Sequence, residues 1–431
     1  MKYFSLNDKS HTSNFENAVI RGLAPDKGLY FPEEVQKLPN SFFMNIRTKD
    51  KIEISFEAIK NYVGDEIPNS ELINIINKTV DFDFPVVEVM ENIGTLELFH
   101  GPTLAFKDVG AKFMAGSLGY FIKKGNIEKI TVLVATSGDT GGAVANGFLG
   151  VEGIEVVILY PKGKVSGIQE KQLTTLGKNI TALEVDGNFD DCQAMVKRAF
   201  LDHEVTKRRK LTSANSINVA RWLPQMFYYF FAYKQLQEKN KQLVFSVPSG
   251  NFGNICAGLL AREMGLPIDN FVASNNANAT VTKYLETENY DPQPSVQTIS
   301  NAMDVGDPSN FVRILKLFNE DYSSLKQNFS AYSFDDEKTK TAMKEVYAET
   351  GYLTDPHGAV GYLGLKKFMD NNPDYYGIFL ETAHPVKFLD TVEKAINNKV
   401  EIPDSIKDLM DKQKKSLQIK NYEDLKGYLL S

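Results

Sequence analysis

From Glu97 onward the chain repeats one pattern: a short apolar, β-branched run, a polar or glycine-rich loop, and a helix. Ile130 to Ala135 (ITVLVA) runs into Thr136 to Gly142 and a helix. Val156 to Tyr160 (VVILY) runs into PKGKVSG and a helix from Ile168, and Leu243 to Val247 (LVFSV) into PSGNFGN and ICAGLLAREMG. Phe271 to Ser274 precedes SNNANA and a further helix. Tyr376 to Glu381 (YGIFLE) leads through Thr382-Ala383-His384-Pro385 into an amphipathic helix over Val386 to Ile396. Units of this kind build parallel sheets with helices on both faces, an α/β architecture. Sites in such folds collect outside the carboxyl ends of the strands, so the loops just named are where chemistry belongs.

The segment before this pattern, to about Met90, reads as a small helical region. It has a turn cluster from Gly22 to Gly28, a helix start at Pro68 and mixed apolar faces carrying Phe56, Ile59, Leu72 and Ile76. It holds no catalytic constellation and reads as an accessory domain over residues 1–90. A chain of 431 residues exceeds one ordinary core, which predicts two or three domains. A net charge of -7 argues against a nucleic-acid surface, and the run Lys207-Arg208-Arg209-Lys210 reads as a solvated segment. Neither a leader-like apolar region nor a stretch long enough to span a bilayer is present, which predicts a cytoplasmic protein without a membrane partner. Cys192 and Cys256 lack paired spacing, and His11, His100, His203, His357 and His384 are scattered, so no disulfide framework or metal site is expected.

In LFHGPTLAFKDVGAK, Lys107 follows an apolar Leu104-Ala105-Phe106 and opens a helix whose apolar face carries Val109, Phe113, Met114, Leu118, Phe121 and Ile122. A helix N-terminus disfavours a cation and apolar surroundings lower an amine's pKa, giving the neutral lysine that reacts with an aldehyde. Taken alone, Lys107 reads better as a snorkelling lysine whose stem covers Phe106. Two loops look like anion cradles. In one, Ser249, Gly250, Asn251, Phe252, Gly253 and Asn254 precede a helix, the arrangement that suits a phosphate. In the other, Thr136, Ser137 and Thr140 offer hydroxyls to a substrate anion, with Asp139 carrying the wrong charge to face one. Each loop by itself is equally a capped strand-to-helix turn. The dinucleotide fingerprint, the P-loop and the nucleophile elbow are all missing from the sequence. Pyridoxal 5'-phosphate needs this combination of a lysine, a phosphate cup and a carboxylate anchor.

HGPTLAFKDVGAKFMA, ATSGDTGGAVA, YPKGKVSGIQEKQL, SANSINVARWLPQ, VPSGNFGN, AMDVGDPSNFVR, DPHGAVGY and ETAHPVKF occur in this order. Together with HTSNFENAVIRGLAPDKGLYFPE near the start, they resemble the threonine synthases of the bacterial and fungal type across nearly the whole chain. The resemblance implies the tryptophan-synthase-β-like (fold type II) class of pyridoxal-phosphate enzymes. Two α/β domains would flank the cofactor: residues 91–235, carrying Lys107 and TSGDTGG, and residues 236–431, carrying PSGNFGN and Thr382. It also implies the Schiff-base position for Lys107, the phosphate cup for Ser249 to Asn254, and the pyridine-nitrogen position for Thr382. Asp139 would take a place near the cofactor's 3-oxygen where many relatives of the fold class carry asparagine. Two departures stand out: Lys27 replaces a usual glycine, and Gly358 replaces a usual hydroxyl residue.

The reaction implied by the resemblance converts O-phospho-L-homoserine and water to L-threonine and phosphate. The departing phosphate requires cations, for which Arg221, Arg313, Lys112 and Lys164 are candidates beside Ser309 and Asn310. Each of these fits a surface or interface ion pair as well. A phospholyase or a serine/threonine dehydratase on the same scaffold is the alternative activity, and a catalytically dead phosphometabolite-binding protein the alternative class. The sequence does not fix an oligomeric state.

Overall fold

The computed structural model describes residues 1–125 and 129–431. Its strands are β1 (Lys2–Ser5), β2 (Thr12–Asn14), β3 (Tyr30–Pro32), β4 (Val86–Met90), β5 (Ile93–Glu97), β6 (Ile130–Ala135), β7 (Ile154–Pro161), β8 (Ile180–Val185), β9 (Lys210–Thr212), β10 (Gln242–Pro248), β11 (Asn270–Asn275), β12 (Phe329–Ser333), β13 (Tyr375–Glu381) and β14 (Leu417–Ile419). They form three sheets, ordered β2-β1-β3, β14-β8-β7-β6-β9 and β12-β11-β10-β13-β5-β4. The five-stranded sheet is parallel throughout. The six-stranded sheet is parallel except where β4 meets β5.

Every residue of β6 is buried, as is expected of a strand covered on both faces by helices. The apolar runs at β6, β7, β10, β11 and β13 stand where the sequence places them, within two residues at either end. The amphipathic segment after β13 differs: a tight 3-10 turn over Pro385–Phe388 precedes the helix Leu389–Ile396. That turn aims Lys387 inward, where it is fully buried.

Two expectations need correction. Residues 1–90 are not purely helical, because β1, β2 and β3 pair antiparallel. Strands of three or four residues offer too little alternation to register as a period. The continuous ranges 91–235 and 236–431 also cut across the sheets. β4 and β5 join the six-stranded sheet beside β13, while β14, from the far end of the chain, joins the five-stranded sheet beside β8. Backbone pairing between distant segments decides membership there.

The N-terminal region is packed onto the main body. The helix Asn69–Thr79 lies on the helix Lys107–Gly125, where a Cβ at Gly116 would come within 2.9 Å of Ile75. Lys27 holds a left-handed φ of 67°, a conformation that costs a non-glycine residue about 1–2 kcal/mol. That is the physical reason a glycine suits the position.

Candidate active site

β10 and β13 are parallel neighbours in register, Ser246 beside Phe379, so their carboxyl ends open on one edge of the sheet. β10 continues into Ser249 to Asn254. Phe252 turns the loop with a left-handed φ of 60°, and a Cβ at Gly250 would lie 2.6 Å from Met303 Cα, a backbone atom that cannot yield. The loop is braced from outside: Asn251 Nδ2 donates to Ser216 Oγ at 2.9 Å, and Asn251 Oδ1 accepts from Ser309 N at 2.7 Å. Among the described residues, the backbone N–H groups of Gly250 through Asn254 have no protein acceptor. Asn254 accepts from Tyr229 at 2.7 Å through Oδ1, while its buried Nδ2 has no partner. Burying donors without acceptors is costly, and a fan of them at the start of the helix Gly253–Glu263 suits an anion.

From the end of β13, the chain stitches itself to the segment before Lys107. Phe106 N donates to Thr382 O at 2.9 Å, His384 N donates to Leu104 O at 3.0 Å, and Ala105 bridges Ala383. Asp108 shapes the preceding turn by accepting from Thr103 N at 2.9 Å and from Thr103 Oγ1 at 2.6 Å. Lys107 therefore opens its helix, half-buried, at the same sheet edge as the Ser249 to Asn254 loop. Its Nζ sits 5.6 Å from the Phe106 ring centre and has no ion-pair or hydrogen-bond partner among the described residues. Burial lowers its pKa to about 8, with Asp139 acting in the opposite sense. Thr382 is buried at the end of β13.

The Thr136 to Gly142 loop closes the other side, at the end of β6. Thr136 Oγ1 accepts from Gly138 N at 2.9 Å and Gly141 N at 2.8 Å, so this hydroxyl braces the loop itself. Ser137 and Thr140 are half-buried. Asp139 is buried and accepts from Gln169 Nε2 at 2.9 Å and Lys387 Nζ at 2.6 Å. Burial alone would raise its pKa, but Lys387, Lys107 and Gln169 outweigh that and hold it below the usual carboxylate range.

The cation candidates separate. Arg313 is fully buried, stacks 4.3 Å over Trp222, and donates to the carbonyls of Tyr30, Ser216 and Ile217 and to Asn310 Oδ1. With its donors so used, it fastens the N-terminal region to the body rather than offering itself to a ligand. Lys112 pairs with Asp81 at 2.6 Å. Lys164 is exposed on its loop. Arg221 is buried with its Nε unpartnered, and Gly110 leaves room for it. Ser309 is exposed and Asn310 is buried, with Asn310 Nδ2 donating to Asn251 O at 3.0 Å.

Family models match the chain end to end: "Threonine synthase N terminus" over residues 2–80, "Pyridoxal-phosphate dependent enzyme" over 95–374, and "Threonine synthase, C-terminal" over 358–428. The chain is 43% identical to the threonine synthase of Escherichia coli over 412 residues, covering 95% of each. The chain belongs to the threonine synthase family. The Saccharomyces cerevisiae threonine synthase is 34% identical over 94% of this chain and 92% of its own. The crystal structure of threonine synthase from Escherichia coli superposes with a TM-score of 0.93 at 41% identity, covering 100% of this chain and 99% of that one. A pyridoxal-phosphate-bound threonine synthase from Brucella melitensis gives 0.92 at 34% identity, covering 100% and 99%.

As in the family's cofactor class, the residues present fit pyridoxal phosphate: an unpaired amine on one side of the sheet edge and unpartnered N–H donors on the other. Lys387 and Gln169 were not foreseen as site residues, although both lie in motifs shared with the family. Gly358 has a reason in the structure as well. A Cβ there would fall 2.1–2.4 Å from the Glu381 carboxyl group, so Glu381 takes the space a larger residue would fill. Burial, together with neighbouring Asp355, raises the Glu381 pKa well above its ordinary value.

Proposed function

We propose that this chain converts O-phospho-L-homoserine and water to L-threonine and phosphate, using pyridoxal phosphate. The observation that carries the reading is Lys107, an unpaired, partly desolvated amine in a chain that also presents an N–H cradle and is similar to threonine synthases along nearly its whole length. The cofactor, when bound, supplies an electron sink that makes protons on the substrate's α- and β-carbons acidic.

This chain's residues do the rest. Gly250 to Asn254 would hold the cofactor's phosphate through backbone N–H groups and Asn254 Nδ2, whereas Ser249, expected in the cup, spends its N–H on Ser274 O and its hydroxyl on Val247 O. Thr382, buried just after β13, would meet the ring nitrogen with a hydroxyl, which would leave that nitrogen largely unprotonated. Lys107 carries protons: with its pKa near 8, it is neutral in an appreciable fraction at neutral pH and accepts a proton readily. Arg221, buried with a free Nε, is the cation best placed for the substrate's phosphate, with Lys164 on the exposed rim. Ser137 and Thr140 present hydroxyls to the substrate's carboxylate.

The test is a product assay on purified protein with O-phospho-L-homoserine that measures threonine, 2-oxobutanoate and phosphate together. Threonine and phosphate in equal amounts are expected. 2-Oxobutanoate as the main product would move the chain to the phospholyases, and no phosphate release would leave only binding. No helix among the described residues is long and apolar enough to cross a membrane.

A further inference from the structure

Close to the half-buried Lys107 stands another lysine that is fully buried. Lys387 has a fully buried side chain, brought inward by the 3-10 turn after β13. Its Nζ donates to Thr103 O at 2.8 Å and pairs with Asp139 Oδ1 at 2.6 Å. Thr103 is in turn held by Asp108 and by Gln172 Nε2 at 3.0 Å, so Lys387 is fixed at both ends of its reach. Asp139 comes from the other sheet. The pair therefore links the carboxyl ends of β13 and β6, strands of the two sheets, close enough to Lys107 for both charges to act on it.

We propose that Lys387 is a positioning residue for the reaction: by occupying Asp139, it keeps that carboxylate from pairing with Lys107, so that Lys107 stays free to react. The inference rests on the proposed pyridoxal-phosphate reading. The charges acting on Lys107 are Asp139 from the helix after β6, Lys387 from the turn after β13 and Arg221 from the short helix Val219–Trp222, while its chain neighbour Asp108 turns its carboxylate to Thr103. Asp139 favours the charged amine, while Lys387 and Arg221 disfavour it. Removing Lys387 leaves a buried carboxylate with no cation but Lys107 to turn to. Removing the carboxylate leaves Lys107 facing two cations.

Condensation of an amine with an aldehyde starts from the neutral amine, forms one C=N bond and releases the carbonyl oxygen as water. The experiment is the rate at which cofactor-free protein captures pyridoxal phosphate, followed by absorbance across pH. Lys387→Gln, which removes the charge and keeps a polar side chain one atom shorter, should move the midpoint of that profile up by one pH unit or more. Asp139→Asn should move it down, and the double variant should cancel most of the upward shift. Asp139→Asn also keeps the test decisive if Lys387→Gln does not fold. A midpoint unmoved in the folded variants would overturn the proposal, since loss of a purely structural contact lowers stability without shifting an amine's titration. Failure of the underlying reading looks different: the wild-type protein would then capture no cofactor at all.

Discussion

The two loops that end β10 and β6 occupy the same place in their sheets, yet they are finished in opposite ways. Gly250 to Asn254 leaves its backbone N–H groups without acceptors and carries no charge, with its bracing supplied from Ser216 and Ser309 outside. Thr136 to Gly142 spends the N–H groups of Gly138 and Gly141 on Thr136 Oγ1 and that of Gly142 on Gly138 O, and it holds a buried carboxylate clamped to Lys387. A strand-to-helix loop becomes an anion cradle only when its donors are left unused, and glycine content alone does not decide that. On the proposed reading, one loop receives a phosphate and the other sets the charge near a lysine.

The largest test of that contrast removes what the two loops share. Lys107→Ala should lower kcat/KM for phosphate release by at least about 10³-fold, the scale of losing a positioned proton carrier. Gly250→Ala comes next. Its Cβ meets the Met303 backbone at 2.6 Å, and overpacking of this kind costs about 1–3 kcal/mol, so cofactor affinity in an absorbance titration should fall tenfold or more. Asn254→Ala deletes a buried, unused donor and should weaken the cofactor by about tenfold, or ~1.4 kcal/mol.

Thr136→Val on the opposite loop should do the reverse. Two N–H groups lose their acceptor, so thermal unfolding should show about 1–3 kcal/mol less stability while cofactor affinity holds within about twofold. An affinity loss in Thr136→Val as large as in Asn254→Ala would erase the distinction between the loops. The smallest effect lies far from both. Lys27→Gly relieves a left-handed backbone and should stabilise the fold by no more than about 1 kcal/mol without changing turnover.

The core strands were legible because each is a buried apolar run between turn signals, as with ITVLVA and LVFSV. β1 to β3 were not, since three or four residues carry no readable period, and β14, with two of its three residues exposed, lacks even an apolar run. Its pairing with β8 is a long-range event that local pattern does not encode. Lys107 stood out because a lysine between Phe106 and an apolar helix face is locally out of place. Lys387 did not, because HPVKF reads as an ordinary helix start. Its burial exists only once Asp139 and Thr103 arrive from distant segments. Arg313 shows the converse error: an arginine after DPSN suits phosphate chemistry, and the carbonyls of Tyr30, Ser216 and Ile217 that engage it are invisible in one dimension.

The central claim is that, of two neighbouring lysines, the half-buried Lys107 takes the cofactor while the fully buried Lys387 stays with Asp139. Borohydride reduction of the cofactor-loaded protein, followed by digestion and peptide mass spectrometry, reads this directly, because reduction fixes the cofactor to whichever lysine holds it. The account predicts the modified lysine in the peptide containing Lys107, with Lys387 unmodified. Label on Lys387, or spread across exposed lysines with none on Lys107, would contradict it.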